Sequence, residues 1–151
     1  MVIKILVGIP TSGKSTYTQN FLKENKNWIS ISRDSIKLSL FNEFRNDYRT
    51  ELLINKISNS IIQSALETNH NIIIDNTNLK QKDIKNIIKE FNHLSDIEFE
   101  LFPIDLEEAI RRNEKRENKV PIDTIKECKR IYDILITQFD FKKINRIDKQ
   151  S

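Results

Sequence analysis

At positions 8–15 the chain carries the stretch Gly8-Ile9-Pro10-Thr11-Ser12-Gly13-Lys14-Ser15. It matches the pattern GxxxxGK[ST], and it lies between an apolar run at 2–7 and a segment of helical period that begins after Lys14. Gly8 and Gly13 are the only glycines in the chain. A chance match is the alternative. It is disfavoured, because a sequence that avoids glycine elsewhere places both glycines where the backbone must curl.

A loop of this kind between a strand and a helix turns its backbone N–H groups inward, onto phosphate oxygens. We expect it to bind ATP with Mg²⁺, with Lys14 reaching the β- and γ-phosphates and the Ser15 hydroxyl ligating the metal. The nucleotide-binding residues predicted from this stretch are Gly8, Thr11, Ser12, Gly13, Lys14, Ser15 and Thr16.

Short apolar runs alternate with helical segments along the rest of the chain, which is typical of an α/β fold with a parallel sheet. The predicted strands are Val2–Val7, Trp28–Ile31, Asn71–Ile74 and 97–104. The predicted helices follow Lys14 and cover about 47–68, 81–91, 106–116 and 121–139. We expect a P-loop kinase-type sheet of about four strands flanked by helices. It would form a single domain over 1–151, with a short helical lid at about 112–120 and a loosely held polar tail at about 141–151.

Composition limits the function classes only broadly. Hydrophobic residues make up 38% and charged residues 31% of the chain, a globular composition. The net charge of +3 neither establishes nor excludes nucleic acid as a partner. No stretch approaches the roughly 20 apolar residues that span a bilayer, and the first residues are too short for a signal peptide. The expected localisation is cytoplasmic, without a membrane partner.

In a parallel sheet the ligand-binding site lies at the carboxyl ends of the strands, and charged side chains follow three of the predicted strands. Asp34 follows the second predicted strand, Asp75 follows the third, and a basic helix with Arg112 and Arg116 follows the fourth. Each also has a structural interpretation: a helix cap for Asp34, a turn residue for Asp75 and a solvated helix face for the arginines. Their convergence on the phosphate side favours function.

Four segments in the same order and at similar spacings resemble the polynucleotide 5′-kinase family: GIPTSGKST, SRDSIK, IIIDNTNL and RRNEKRENKVPID. The resemblance extends from about residue 2 to about residue 135. It is to the kinase domain of phage polynucleotide kinase and to the kinase module of eukaryotic polynucleotide kinase-phosphatases. The phage family's phosphatase domain has no counterpart in this sequence.

The resemblance implies roles for individual residues. Lys14 and the lid arginines Arg112 and Arg116 would act on the donor phosphates, and the two arginines, four apart, would share one helix face. Asp34 would be the general base that accepts the proton of the attacking 5′-hydroxyl. These four residues are the predicted catalytic set.

The acceptor site implied by the resemblance comprises Asp34, Lys37, Thr77, Asn78 and Val120. Lys37 stands where the phage family has an arginine that holds the acceptor's 3′-phosphate, so the charge is kept and the bidentate fork is lost. The acid that precedes the threonine in the phage pattern is here one residue earlier, at Asp75. It would assist Mg²⁺ through water or organise the loop.

The expected activity is transfer of the γ-phosphate of ATP to the 5′-hydroxyl of single-stranded or end-exposed DNA or RNA, with a separate phosphatase or ligase as a partner in repair. Two alternatives stay open. One is a P-loop kinase acting on a small metabolite such as a nucleoside or sugar acid, and the other is a nucleotide-binding regulatory module without turnover.

Overall fold

Residues 1–148, which the computed structural model describes, form a parallel sheet flanked by helices. The strands are β1 (Val2–Val7), β2 (Trp28–Ile31), β3 (Asn71–Ile74) and β4 (Asp96–Leu101). The helices are α1 (Lys14–Glu24), α2 (Arg33–Phe41), α3 (Tyr48–Glu67), α4 (Gln81–Phe91), α5 (Leu106–Glu114) and α6 (Ile122–Gln138). In the same range, no helix is both long and apolar enough to cross a membrane.

The four strands are all parallel and lie in the order β2-β3-β1-β4. Strand β1 is therefore central, and the loop at 8–15 leaves the sheet beside the ends of β3 and β4. Since parallel strands present their carboxyl ends at one edge, the segments that follow all four strands meet there. This topology places the predicted site residues on one side of the molecule.

The two faces of β1 are covered differently, because successive side chains of a strand point in opposite directions. Ile3 and Ile5 are fully buried in the main core, which also contains side chains of α3, α4 and α6. Lys4 points to the other face, where its Nζ donates to the Tyr17 hydroxyl of α1 at 3.0 Å and lies 4.4 Å from the centre of the Phe21 ring. Helix α1 is thus held against the sheet by a cation among aromatic rings.

The predicted fold class and the bounds of the first three strands are confirmed. Strand β4 begins one residue earlier than predicted and ends at Leu101 instead of continuing to 104. The last hydrogen bond to β1 is donated by the Phe102 N–H to the Val7 carbonyl, and Pro103 has no N–H with which to continue the ladder. Helix α2 was predicted only as the helix that follows Asp34 and that Asp34 would cap; the structure begins it at Arg33.

Two expectations about the C-terminal third differ from the structure. Helix α5 ends at Glu114, so Arg116 lies beyond its last turn and does not share a helix face with Arg112. The tail at 141–148 is not loosely held: Phe141 packs against Phe99, and Ile144 exchanges two backbone hydrogen bonds with Ile97. Apolar residues at intervals in this polar segment explain the contact. The remainder of the predicted tail, residues 149–151, lies outside the described residues.

Candidate active site

The loop at 8–15 leaves β1 and caps α1, as its sequence predicts. Gly13 has φ of 102°, in the left-handed region that favours glycine. Gly8 is required for space instead, because a Cβ there would lie 2.6 Å from Ser12 Oγ and 2.9 Å from Phe102 Cβ. The Gly8 N–H donates to the Thr77 carbonyl at 3.1 Å, which ties the loop to the segment after β3.

Lys14 lies inside this loop with only 8% of its surface exposed. Its ammonium donates to the carbonyls of Gly8 and Ile9, each at 2.8 Å. Burial lowers the pKa of Lys14 from 10.5 to about 8, although the nearby charge of Asp75 acts in the opposite direction. The loop therefore holds a partly desolvated cation with few compensating charges, which is the environment that an incoming phosphate would neutralise.

Asp75, directly after β3, lines the same groove close to Lys14 and Ser15. Burial raises the pKa of its carboxyl above the usual value, against the opposing effects of the nearby Thr18 hydroxyl, the charge of Lys14 and the Ser15 hydroxyl. A carboxylate and a serine hydroxyl beside a phosphate-binding loop are oxygen ligands of the type that Mg²⁺ prefers. Within residues 1–148, no group of three or more His, Cys, Asp or Glu side chains is arranged to hold a metal by itself.

The start of α2 is fixed from two directions. The Ser32 side chain caps the helix by accepting from the Ser35 N–H at 3.2 Å. The Arg33 N–H donates to Asn76 Oδ1 at 2.9 Å, which connects α2 to the end of β3. Asp34 is the next residue, in the first turn of α2, and it lines the same groove as the P-loop. Ser32 rather than Asp34 supplies the cap, so the capping interpretation does not account for Asp34.

Lys37, one turn further along α2, is 5% exposed and paired with Glu51 of α3. Its ammonium lies 2.6 Å from a Glu51 carboxylate oxygen and 3.1 Å from Asn46 Oδ1. The other Glu51 oxygen accepts from the Arg33 guanidinium. Partial burial pushes the pKa of Glu51 upward, but the hydrogen bond from Lys37 and the two cations outweigh it and hold that pKa below its usual value.

The end of α5, where the lid was predicted to begin, contacts the phosphate-binding loop directly. Arg112 Nη1 donates to the Thr11 carbonyl at 3.2 Å, and the Thr11 hydroxyl donates to the Ala109 carbonyl at 3.1 Å. Asn113 is buried and clasps Val120, accepting from its N–H at 2.9 Å and donating to its carbonyl at 2.7 Å. This clasp turns the chain back after α5, and both Arg116 and Val120 consequently line the groove.

These segments enclose one groove of about 880 Å³. Of the predicted site residues, those that line it are Thr11, Gly13, Lys14, Ser15, Thr16, Asp34, Lys37, Asp75, Thr77, Arg112, Arg116 and Val120. A separate, mainly apolar cleft of about 560 Å³ between β2 and α3 contains none of them.

Three predicted residues are not on the groove lining: Gly8, Ser12 and Asn78. Asn78 is buried with a φ of 51°, and its amide donates to the Leu6 carbonyl at 2.6 Å. The structure thus places it as a link between the ends of β3 and β1. Sequence reasoning missed Asn76, Glu51 and Phe44 as parts of the site. Asn76 and Glu51 form contacts between segments that are distant in the sequence, and Phe44 lies in a loop that carries no motif.

The fold and this groove define a P-loop kinase. The chain belongs to the AAA domain family, whose model matches residues 3–135. It is 32% identical over 142 residues to an L-seryl-tRNA(Sec) kinase of Methanococcus maripaludis, and 30% identical over 138 residues to a putative bifunctional polynucleotide kinase/RNA ligase of Autographa californica nuclear polyhedrosis virus. These alignments cover 89% and 81% of the chain but only 54% and 19% of the two relatives.

Solved structures show the same fold. A chain in a Pnkp1/Rnl/Hen1 RNA repair complex superposes with a TM-score of 0.92 at 28% identity, over 99% of this chain and 50% of that one. A gluconokinase from Sinorhizobium meliloti superposes with a TM-score of 0.57 at 12% identity, over 85% of this chain and 73% of that one, a likeness of fold alone. The chain thus spans about half the length of the repair-complex chain that it matches.

Proposed function

We propose that this chain is an ATP-dependent polynucleotide 5′-hydroxyl kinase that transfers the γ-phosphate of ATP to the 5′ end of DNA or RNA. The observation that carries the proposal is the position of Asp34 and Lys37 on one helix, both lining the groove that also contains the phosphate-binding loop. The similarity to a chain of an RNA repair complex and to a polynucleotide kinase/RNA ligase supports this acceptor class.

The donor half of the groove would neutralise the triphosphate. Lys14 has a low pKa as long as no anion is present, so a phosphate that approaches it replaces lost solvation with a direct charge interaction. Arg112, already at the loop, and Arg116 would add positive charge to the donor phosphates as the bond to the leaving group breaks. Bound Mg²⁺, held by Ser15 and by Asp75 directly or through water, would add its charge to the same phosphates.

The acceptor half would position the 5′-hydroxyl. Asp34 would accept the proton of that hydroxyl and orient its oxygen in line with the γ-phosphate. Phosphoryl transfer has a loose transition state and depends mainly on positioning and charge, so Asp34 would act chiefly by orienting the hydroxyl oxygen, and the proton would be transferred late. Thr77 and Val120 line the same groove, and we propose that they contact the acceptor nucleotide.

The charge of the acceptor end fits an internucleotide phosphate. Arg33, Lys37 and Glu51 form one network, in which two cations share a single carboxylate. The network has a net charge of one positive unit, equal and opposite to that of a phosphodiester. A free nucleoside has no such group, and this network would give it no charge partner.

We propose further that residues 1–151 act as a single kinase domain, with a lid at 112–120 and a tail at 141–151. A phosphatase or ligase activity that completes repair would come from other polypeptide segments or partners. The half-length match to the repair-complex chain is consistent with that division of labour.

A kinase for seryl-tRNA is the second candidate, because the 32% identical relative carries that name. The test is incubation of the purified protein with γ-labelled ATP, Mg²⁺ and a matched set of acceptors. The set contains 5′-hydroxyl DNA and RNA oligonucleotides, a nucleoside, its 3′-monophosphate, gluconate and seryl-tRNA. We expect label on the oligonucleotides and on the 3′-monophosphate. Label on seryl-tRNA alone would support the second candidate function instead of the first. Equal rates on the nucleoside and on its 3′-monophosphate would contradict a polynucleotide acceptor.

A further inference from the structure

The loop between α2 and α3, residues 42–47, contributes Phe44 to the lining of the groove. It is fixed at both ends: Asn42 closes α2 with φ of 56°, and Asp47 caps α3 by accepting from the Thr50 N–H at 3.0 Å. Its middle is attached to the buried Lys37 ammonium through Asn46 Oδ1 at 3.1 Å. The loop therefore has a defined position relative to the cation that we assign to the acceptor phosphate.

Phe44 lies in this loop and lines the groove with 52% of its surface exposed. The chain has eight phenylalanines, all within the described residues, and Phe44 is the one that is exposed. Six of the others pack in the core or in aromatic clusters, and the half-buried Phe41 packs under the Arg45 guanidinium. An isolated exposed aromatic on a protein surface needs no explanation, but Phe44 is a groove-lining ring beside a site for nucleic acid.

We propose that Phe44 stacks on the base of the second nucleotide of the acceptor, counted from the 5′ end. This inference rests on the proposed function. Asp34 marks the 5′-hydroxyl of the first nucleotide, and Lys37, one turn along α2, marks the phosphate on its 3′ side. The loop bonded to Lys37 through Asn46 is the next surface beyond that phosphate, where the second base lies. Stacking on an aromatic face tolerates every base, which suits an enzyme that acts on ends of any sequence.

The experiment measures kcat and KM on short 5′-hydroxyl oligonucleotides that are intact or lack one base at position 1, 2 or 3. We expect loss of the second base to raise the KM of the wild type on the order of ten-fold, as expected for one aromatic–base stack, with little change in kcat. Phe44→Ala should raise KM on the intact oligonucleotide by a similar factor and should be insensitive to loss of base 2. Phe44→Trp should keep the low KM.

Tyr48→Ala is the matched control, since Tyr48 is an aromatic residue with 77% of its surface exposed that does not line the groove. We expect its KM to equal that of the wild type. If the factors by which Phe44→Ala and the missing second base each raise KM multiply when the two changes are combined, the ring does not touch that base and the inference is wrong. It is also wrong if Phe44→Ala raises KM equally on a nucleoside 3′-monophosphate, which has no second base. Failure to phosphorylate any oligonucleotide would instead contradict the proposed function itself.

Discussion

Lys14 couples phosphate binding to the stability of the fold, and replacing it with methionine should reveal that coupling. The lysine is buried inside the loop, and burial lowers its pKa from 10.5 to about 8. Methionine has a similar length and no charge. The variant keeps the packing of the side-chain stem and loses the cost of burying an ammonium, together with its hydrogen bonds to Gly8 and Ile9.

Proton linkage gives the direction and the size of the change in the free energy of unfolding with pH. Below about pH 8 Lys14 is protonated in both the folded and the unfolded protein, and the cost of its burial is fully present. Between about pH 8 and pH 10.5 the unfolded chain binds more protons than the folded one, so the stability of the wild type rises with pH. From about pH 7 to about pH 9.5 the free energy of unfolding of the wild type should rise by about 2 kcal/mol relative to Lys14→Met.

The assay is urea unfolding of both proteins at several pH values, followed by the fluorescence of Trp28. The other titrating groups are common to both proteins. Cys128, whose pKa responds to the charge of Lys14, is replaced by serine in both, so that the difference between the two free energies isolates Lys14. Lys26→Met is the matched control, because Lys26 is exposed, and its difference from the wild type should be the same at every pH. If the Lys14→Met difference is also constant to within about 0.5 kcal/mol, the charge of Lys14 is not destabilised by burial and the reasoning is wrong.

The remaining predictions concern catalysis. Asp34→Asn should lower kcat by about 10²–10⁴-fold while ATP still binds, and a loss of only a few-fold would contradict its role as the base. Arg112→Ala and Arg116→Ala should each reduce phosphorylation of every acceptor by the same factor. An effect limited to certain acceptors would mean that these arginines contact the acceptor nucleic acid and not the donor phosphates. Lys37→Ala should raise KM for a nucleoside 3′-monophosphate much more than for the nucleoside. An equal rise for both would leave Lys37 as a structural partner of Glu51. Gly8→Ala should abolish turnover, and adding Ser12→Ala should not restore it, since the contact at 2.9 Å with Phe102 persists.

The fold was predictable because its signals are local. Strand β1 is apolar apart from Lys4, β3 is apolar after Asn71, and the glycine-containing loop follows directly after the first of these strands. The end of β4 was misplaced because the apolar run continues past Leu101, and the residue that ends the ladder is Pro103, which the apolar pattern does not reveal. Periodicity identifies a buried strand more reliably than it identifies where pairing stops.

The site was predictable only in part, because its partners are joined across the sequence. The position after a predicted strand pointed to Asp34, whereas Lys37 was predicted only from the resemblance to the polynucleotide 5′-kinase family. Nothing local shows that Lys37 is 5% exposed and shares Glu51 with Arg33. That network is created by packing α2 against α3, fourteen or more residues apart, and it decides how much free positive charge the acceptor end retains.

The end of β3 explains why the acid of the DNTN segment precedes an asparagine. Asp75 and Asn76 are consecutive, and consecutive residues at a strand end point in different directions. Asp75 is directed to the donor side, near Ser15, Thr18 and Lys14, whereas Asn76 accepts the Arg33 N–H at the start of α2. The two positions therefore serve different halves of the groove. A carboxylate at 76 would place a second negative charge beside Asp34, while the neutral amide fixes α2 without it. Under the proposed function, Asp75 would therefore be the metal ligand, and Asn76 would position the start of α2 and with it Asp34.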